Sequence, residues 1–317
     1  MDPSDIRVGL SACLAGERVR WNGDHKRDSY LVDTVGRFVR FVTVCPEMEL
    51  GLGAPRATLR LQQEGTAVRL VEPASATDRT EAMDAWAARR VRQLARLDLS
   101  GFILKSDSPS CGLERVKVWS RGATPVKRGQ GRFAAALAAA LPDLPLEEEG
   151  RLQDPKRREN FFERVFAYRR LHDLFAARWR LGDLVAFHAR EELLLLAHHP
   201  ESYRELGRLV AHAKGRARAE VAADYRSRFL AALNHPATPR RHVNALQHMT
   251  GYVSKQLDAA ERRELADAIA DFGRSLVPRV VPLTLLHHHL RRFDVACLLQ
   301  QSYLAPHPKE LMLRNHV

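Results

Sequence analysis

Ile6-Arg7-Val8-Gly9-Leu10-Ser11-Ala12-Cys13 and Val39-Arg40-Phe41-Val42-Thr43-Val44-Cys45 share one pattern, a short apolar and β-branched run that closes on a cysteine. A third run, Gly101-Phe102-Ile103-Leu104-Lys105, leads into Ser106-Asp107-Ser108-Pro109-Ser110-Cys111-Gly112. Runs of this length bounded by turn residues read as buried strands. Each cysteine then stands where a strand gives way to a turn. In an open parallel sheet, ligands collect at the carboxyl ends of the strands, so the three thiols are expected to meet in space.

Working outward, the first half alternates strand-like and helix-like stretches. Asn22-Gly23 marks a turn, and a helix is expected around Ser29–Phe38. Val68–Val71 reads as a further strand. A long amphipathic helix starts near Thr77-Asp78-Arg79-Thr80-Glu81 and carries Met83, Trp86, Val91 and Leu94 on one face. Val116-Lys117-Val118-Trp119 follows the third cysteine, and Gly129-Gln130-Gly131 opens an alanine-rich helix over 132–141. This alternation predicts an α/β layered domain with a largely parallel, Rossmann-like sheet over residues 1–150. Pro142, Pro145 and the acidic run Glu147-Glu148-Glu149-Gly150 read as its boundary.

Beyond that point period-two alternation stops. Asp154-Pro155 offers an N-cap followed by proline at the first helical position. Phe162, Val165, Phe166, Leu171, Leu174 and Phe175 then recur at helical spacing. Further helices are expected at 183–199, 202–232, 239–257, 259–275 and 282–302, so residues 151–317 read as an all-α domain.

The chain has 50 basic and 38 acidic residues, a net charge of +12. That excess favours a polyanionic partner, nucleic acid ahead of a membrane surface. No apolar run approaches the roughly 18 residues of a spanning helix, and Met1-Asp2-Pro3-Ser4-Asp5 lacks the features of a secretory signal. A cytoplasmic protein is the expectation. Four cysteines in such a chain do not form a disulfide framework. Cys297, in Val295-Ala296-Cys297-Leu298-Leu299, reads as a buried small hydrophobe.

Cys13, Cys45 and Cys111 are separated by 31 and 65 residues, which excludes a local zinc ribbon or ferredoxin-type motif. Three soft thiolates without a local fourth ligand suit an iron–sulfur cluster with one iron open; zinc with His25 as fourth ligand is the alternative. Glu47, two residues past Cys45, is placed to serve as general base or proton shuttle. Ser108 is placed to hydrogen-bond a substrate heteroatom. Asp24, His25, Lys26 and Lys105 stand near the strand ends as substrate or phosphate contacts.

Ser11-Ala12-Cys13-Leu14-Ala15-Gly16, Arg20-Trp21-Asn22-Gly23-Asp24-His25-Lys26, Cys45-Pro46-Glu47, Pro55-Arg56 and Lys105-Ser106-Asp107-Ser108-Pro109-Ser110-Cys111-Gly112 resemble, in that order, the TudS family of thiouracil desulfurases. The resemblance covers residues 5–150. It implies a [4Fe-4S] cluster on Cys13, Cys45 and Cys111 whose fourth iron takes the substrate's sulfur, with Glu47 and Ser108 as catalytic residues. Trp21-Asn22-Gly23 departs from the family's usual Tyr-Asp-Gly, which moves any role of that aspartate to Asp24.

Glu159-Asn160-Phe161, Arg164-Val165-Phe166-Ala167-Tyr168, Tyr203-Arg204-Glu205-Leu206-Gly207-Arg208 and Asn244-Ala245-Leu246-Gln247-His248-Met249-Thr250-Gly251-Tyr252 are similar to the YbgA-like helical domain. Such a domain behind a TudS-type one is the architecture of RudS-type tRNA 4-thiouridine desulfidases. The resemblance implies tRNA as partner, water or a small-molecule sulfur acceptor as co-substrate, and a tRNA-binding role for the helical half. Free thiouracil or thionucleosides are the alternative substrates, and a non-catalytic tRNA-binding protein with a structural metal centre is the reading outside catalysis. His287-His288-His289 cannot all face one ion on a helix and are expected to be solvated or near phosphate. Arg240-Arg241, Arg262-Arg263, Arg291-Arg292 and Lys214-Arg216-Arg218 are solvated faces or phosphate contacts.

Overall fold

The computed structural model describes residues 6–315, so the segment Met1–Asp5, read for a secretory signal, lies outside the described residues. The chain divides into two compact units, the break falling between Gln153 and Asp154.

The first unit is built on a four-stranded sheet of β1 (Arg7–Ser11), β2 (Arg40–Val44), β6 (Leu99–Leu104) and β9 (Leu146–Glu148). Its order is β2-β1-β6-β9, with all neighbours parallel. From β1 the chain goes first to β2 on one side, then crosses to β6 on the other. The carboxyl ends of β1 and β6 therefore flank the point where the order reverses. β6 is buried along its whole length, as a strand covered on both faces must be. Gly9 is required by this sheet, because a Cβ there would lie inside the Phe102 ring.

Helices cover the sheet. α2 (Thr80–Leu94) buries Met83, Trp86, Ala87, Val91 and Leu94, and α3 (Arg132–Ala140) buries Phe133, Ala134 and Leu137. Phe133 ties them together, its ring 5.5 Å from Trp86 and 5.7 Å from Phe102 of β6. The helix expected at Ser29–Phe38 is shorter and irregular, a wide π-type turn over Tyr30–Thr34 running into a 3-10 turn over Val35–Arg37. Its β-branched Val32, Thr34 and Val35 and the central Gly36 support a regular helix poorly.

A second sheet was not legible in the sequence. Its strands are β3 (Arg60–Glu64), β4 (Ala67–Glu72), β5 (Thr77–Asp78), β7 (Val116–Ser120) and β8 (Ala123–Gly129). They lie in the order β5-β4-β3-β7-β8, antiparallel except for β3–β7. Their polar faces, such as Gln62 with Gln63 and Lys127 with Arg128, hide the apolar alternation. The acidic run read as a boundary is also different: Glu147 and Glu148 are buried in β9.

The second unit is helical: α4 (Pro155–Ala176), α5 (Leu181–His198), α6 (Pro200–Ala211), α7 (Arg218–Leu233), α8 (Pro239–Val253), α9 (Ala259–Gly273), α10 (Val280–Arg292) and the single turn α11 (Ala296–Leu299). Asp154 caps α4, its side chain accepting from Lys156 N and Arg157 N at 2.9 and 3.0 Å. The single helix expected over 202–232 is two, parted at Gly215 with φ 90°. The one expected over 282–302 stops at Arg292, since Asp294 turns to φ 52°. That break re-aims α11 and leaves Cys297 exposed, correcting its reading as a buried hydrophobe. Among the described residues no helix is long and apolar enough to cross a membrane.

Candidate metal centre

The parallel register sets the site. Ser11 of β1 pairs with Val44 of β2, so Cys13 and Cys45 leave the sheet at the same edge. Lys105, just past β6, donates its backbone N–H to Ser11 Oγ at 3.0 Å, which brings the third strand end level with them.

The Cys111 loop is fastened from two sides. At the start of α3, the amides of Arg132 and Phe133 donate to Pro109 O and Ser110 O at 3.1 and 3.0 Å. Amides that a helix leaves unpaired in its first turn thus hold the loop. Gly131 permits this approach, because a Cβ there would meet Ser110 backbone at 2.6 Å. On the other side Glu148 accepts from Leu113 N at 2.7 Å, and Glu149 from Ser106 N at 2.7 Å and Ser106 Oγ at 2.8 Å. The acidic stretch is part of the site's scaffold.

Cys13, Cys45 and Cys111 line one cavity of about 430 Å³. The three sulfurs do not form a group within 4.8 Å of one another, unlike the one such group found among the described residues. A single tetrahedral zinc with bonds near 2.3 Å would need sulfurs roughly 3.8 Å apart. The spacing fits a polynuclear cluster, in which each thiolate takes a different metal atom. His25 is not on the cavity wall, which removes it as a fourth ligand; its Nδ1 accepts from Arg27 N at 3.2 Å.

Burial pushes the Cys13 thiol up to about 11, against an opposing pull from Lys105. It also raises Cys45, and it raises Cys111 well above the ordinary thiol range despite a hydrogen bond from Ser11. Three desolvated thiols of this kind become thiolates only against a strong local positive charge, which a metal centre provides.

Glu47 lies on the wall, in the single-turn helix α1 (Pro46–Glu49). Its two oxygens are held separately. Arg56 Nε donates to Oε2 at 2.8 Å, joined by Nη2, and Ser110 Oγ donates to Oε1 at 2.9 Å. Arg56 Nη1 is fixed in turn on Gly53 O at 2.6 Å. Neither Arg56 nor Ser110 was singled out in the sequence; the adjacency of Ser110 to Cys111 and of Arg56 to Pro55 was the available signal. Ser108 Oγ accepts from Ser110 N and Cys111 N at 3.3 and 3.0 Å, leaving its proton to donate toward the cavity.

The remaining candidates divide. Lys26 and Lys105 line the cavity. Lys105 Nζ is tied to Glu149 and to Ser106 O at 3.1 Å, so it braces the loop. Asp24 is off the wall and fully in solvent, its carboxyl held below the usual range by the His25 amide. Asn22 is off the wall as well, its Oδ1 accepting from Asp24 N at 3.3 Å. The departure from Tyr-Asp-Gly thus falls on a surface turn.

The second unit holds a buried charge network that the sequence did not reveal. Glu159 and Glu163 lie one turn apart on α4 and, with His307, bring ligand atoms within 4.8 Å of one another. The cations there are guanidinium groups: Arg279 pairs with Glu159, and Arg314 reaches Glu159 at 3.3 Å and Glu163 at 3.5 Å. His198 Nε2 meets Glu163 Oε2 at 3.2 Å. Of the histidine triplet, His289 is buried and stacked on Phe293, where solvation was expected.

A family model described as 2-thiouracil desulfurase matches residues 8–149. A second, described as a protein of unknown function (DUF1722), matches residues 192–308. The chain is 35% identical over 153 residues to the uncharacterized protein YbgA of Escherichia coli (strain K12), covering 48% of this chain and 90% of YbgA. It is 32% identical over 110 residues to the uncharacterized protein YbbK of Bacillus subtilis (strain 168), covering 32% of this chain and 71% of YbbK. Among solved structures it is similar to the [4Fe-4S]-dependent thiouracil desulfidase TudS, with a TM-score of 0.40 and 27% identity over 47% of this chain and 94% of that one. The chain belongs to the family of YbgA and YbbK, and residues 8–149 are its 2-thiouracil desulfurase domain.

Proposed function

We propose that the first unit is an iron–sulfur-dependent desulfidase that converts 4-thiouridine in tRNA to uridine and releases sulfide. The observation that carries this is the meeting of three buried cysteines, Glu47 and Ser108 on one cavity wall, within a domain matched by the 2-thiouracil desulfurase model. A [4Fe-4S] cluster on Cys13, Cys45 and Cys111 supplies an iron without a protein ligand, a Lewis acid for the thiocarbonyl sulfur.

The side chains supply the rest. Glu47, held by Arg56 and Ser110, takes a proton from the water that attacks the thiolated ring carbon. Ser108 donates its free hydroxyl proton to the pyrimidine and orients it. The carbon–sulfur bond is replaced by a carbon–oxygen bond, water supplies the oxygen, and sulfide leaves with the protons, so no external electron donor is needed. A base inside an RNA stack cannot enter a cavity of this size, so the target nucleotide must be turned out. In this reading the second unit grips the surrounding RNA, supported by the charge of +12.

The test is turnover by anaerobically reconstituted protein on thiolated tRNA, free 4-thiouridine and 2-thiouracil. The tRNA reading requires the highest kcat/KM on tRNA; equal or better turnover of the free base overturns it in favour of a small-molecule desulfidase.

A further inference from the structure

The mouth of the cysteine cavity carries an aromatic ring and two cations to which the desulfuration chemistry assigns no part. Trp21, Arg20 and Lys26 all line it. Trp21 is 49% exposed, against 6% for Trp86 in the core. An indole left this open is costly in apolar surface unless something covers it, and its loop is not loose. Arg56 N donates to Trp21 O at 2.7 Å, Arg20 N to Asp24 O at 3.1 Å and Lys26 N to Cys13 O at 2.9 Å. Cys45 Sγ reaches Val19 O at 3.8 Å. The loop that presents Trp21 is thereby anchored to two of the three cysteines. Among the described residues neither Arg20 nor Lys26 forms an ion pair with a carboxylate, although acidic groups are plentiful in this unit.

A flat apolar face beside two unpaired cations, at the entrance to a polar cavity, matches the chemistry of a nucleotide. The base offers a π-face and the sugar carries phosphate. We propose that this rim is a nucleotide subsite, in which Trp21 stacks on the thiolated pyrimidine and Arg20 and Lys26 hold the phosphate attached to its ribose. The assignment rests on the desulfidase reading and adds the residues that favour a nucleotide over a free base. A free base gains only the stack; a nucleotide gains both. Rigid backbone anchoring means little ordering is required on binding.

The full-length, cluster-loaded protein is titrated with 4-thiouridine 5′-monophosphate and with 4-thiouridine, binding being read by equilibrium dialysis and by quenching of tryptophan emission. Cluster absorbance and circular dichroism check that each variant is folded. Trp21→Ala is expected to weaken binding of both ligands by about 5- to 100-fold, the range of one base–aromatic stack. Trp21→Phe, which keeps a ring, stays within about 3-fold of the wild type while losing most of the quenching. The double variant R20A/K26A lowers the ratio of monophosphate to nucleoside affinity by roughly 10-fold and flattens its salt dependence.

Unaltered binding by Trp21→Ala, an unaltered ratio in R20A/K26A, or a wild type that binds no nucleotide overturns the subsite. Failure of the desulfidase reading looks different: binding follows these signatures, but no sulfide is released.

Discussion

Arg56→Ala is the most informative single change in the first unit. The Arg56 side chain is 7% exposed and Glu47 15% exposed, so truncation leaves a largely desolvated carboxylate with Ser110 as its remaining partner. Removing one member of a buried pair costs about 3–5 kcal/mol. Partial access of water at the cavity wall reduces this to about 2–3 kcal/mol. For a unit of this size that lowers the melting temperature by roughly 5–10 °C. Catalysis suffers separately, because Glu47 loses the fork that fixes Oε2. A general base displaced from its position forfeits about 10- to 100-fold in kcat, with little change in KM. Arg56→Lys keeps the charge but not the two-point geometry, and it should recover most of the stability and only part of the rate. Desulfuration kinetics and thermal unfolding of the cluster-loaded protein measure both. Wild-type kcat and melting temperature in Arg56→Ala would refute the role given to this pair. Equal recovery of stability and rate by lysine would show that charge alone matters.

Three more outcomes follow from the same structure. Alanine at Cys13, Cys45 or Cys111 should each abolish cluster absorbance and sulfide release, whereas Cys297→Ala, on the exposed α11, should leave both intact; retained absorbance in any of the first three removes that cysteine as a ligand. Gly9→Ala should destabilise the first unit by about 1–3 kcal/mol through overpacking against Phe102, and an unchanged melting temperature would contradict the close approach of β1 to β6. Burial holds His242 down to about 3 and His307 down to about 4, while Glu163, although burial works to raise it, is held down to about 2 by His198. In the unfolded chain these groups titrate near their ordinary values, so below about pH 6.5 it binds more protons than the folded one. The stability they contribute is therefore fully present at neutral pH. It is lost as pH falls from about 6.5 toward the folded values of the two histidines, near 3 for His242 and near 4 for His307, on the order of 1 kcal/mol per pH unit for each. Thermal unfolding of the full chain at pH 7, 5.5 and 4.5 checks this, and a melting temperature that stays level or rises on acidification would contradict it.

The part of the fold that was legible is the part with a strong period. β1, β2 and β6 are apolar and β-branched, and each ends on a residue type that stops a strand, so the edge carrying the cysteines could be placed from the sequence. The second sheet could not, because β3 offers a single buried apolar side chain, Leu61, among Arg60, Gln62, Gln63 and Glu64. Its strands are held by pairing with β4 and β7, a long-range property without a local signal. The acidic stretch Glu147-Glu148-Glu149 misled for a related reason. Carboxylates usually mark solvent, but here Glu148 and Glu149 accept backbone amides from Leu113 and Ser106, partners more than thirty residues away.

The site shows the same division. The cysteines, Glu47 and Ser108 stand in motifs and were named from them, while Arg56 and Ser110 act through Glu47 and become visible only when the loops are brought together. Asp24 and His25 were named for their nearness in sequence to Cys13, yet the tight turn at Asn22-Gly23 carries both away from the cavity wall. In the second unit the buried glutamates of α4 sit at helical spacing, but their arginine partners come from residues 279 and 314, distances at which sequence carries no pairing information.

The central claim is that three cysteines from three strand ends hold a cluster that removes sulfur from thiolated tRNA. Its most direct test is one anaerobic experiment on the reconstituted full chain, quantifying iron and acid-labile sulfide alongside conversion of 4-thiouridine in bulk tRNA. The account predicts about four irons and four sulfides per chain, together with one uridine and one released sulfide for each 4-thiouridine consumed. A chain that binds no cluster, or a loaded one that leaves thiolated tRNA unchanged, would contradict it.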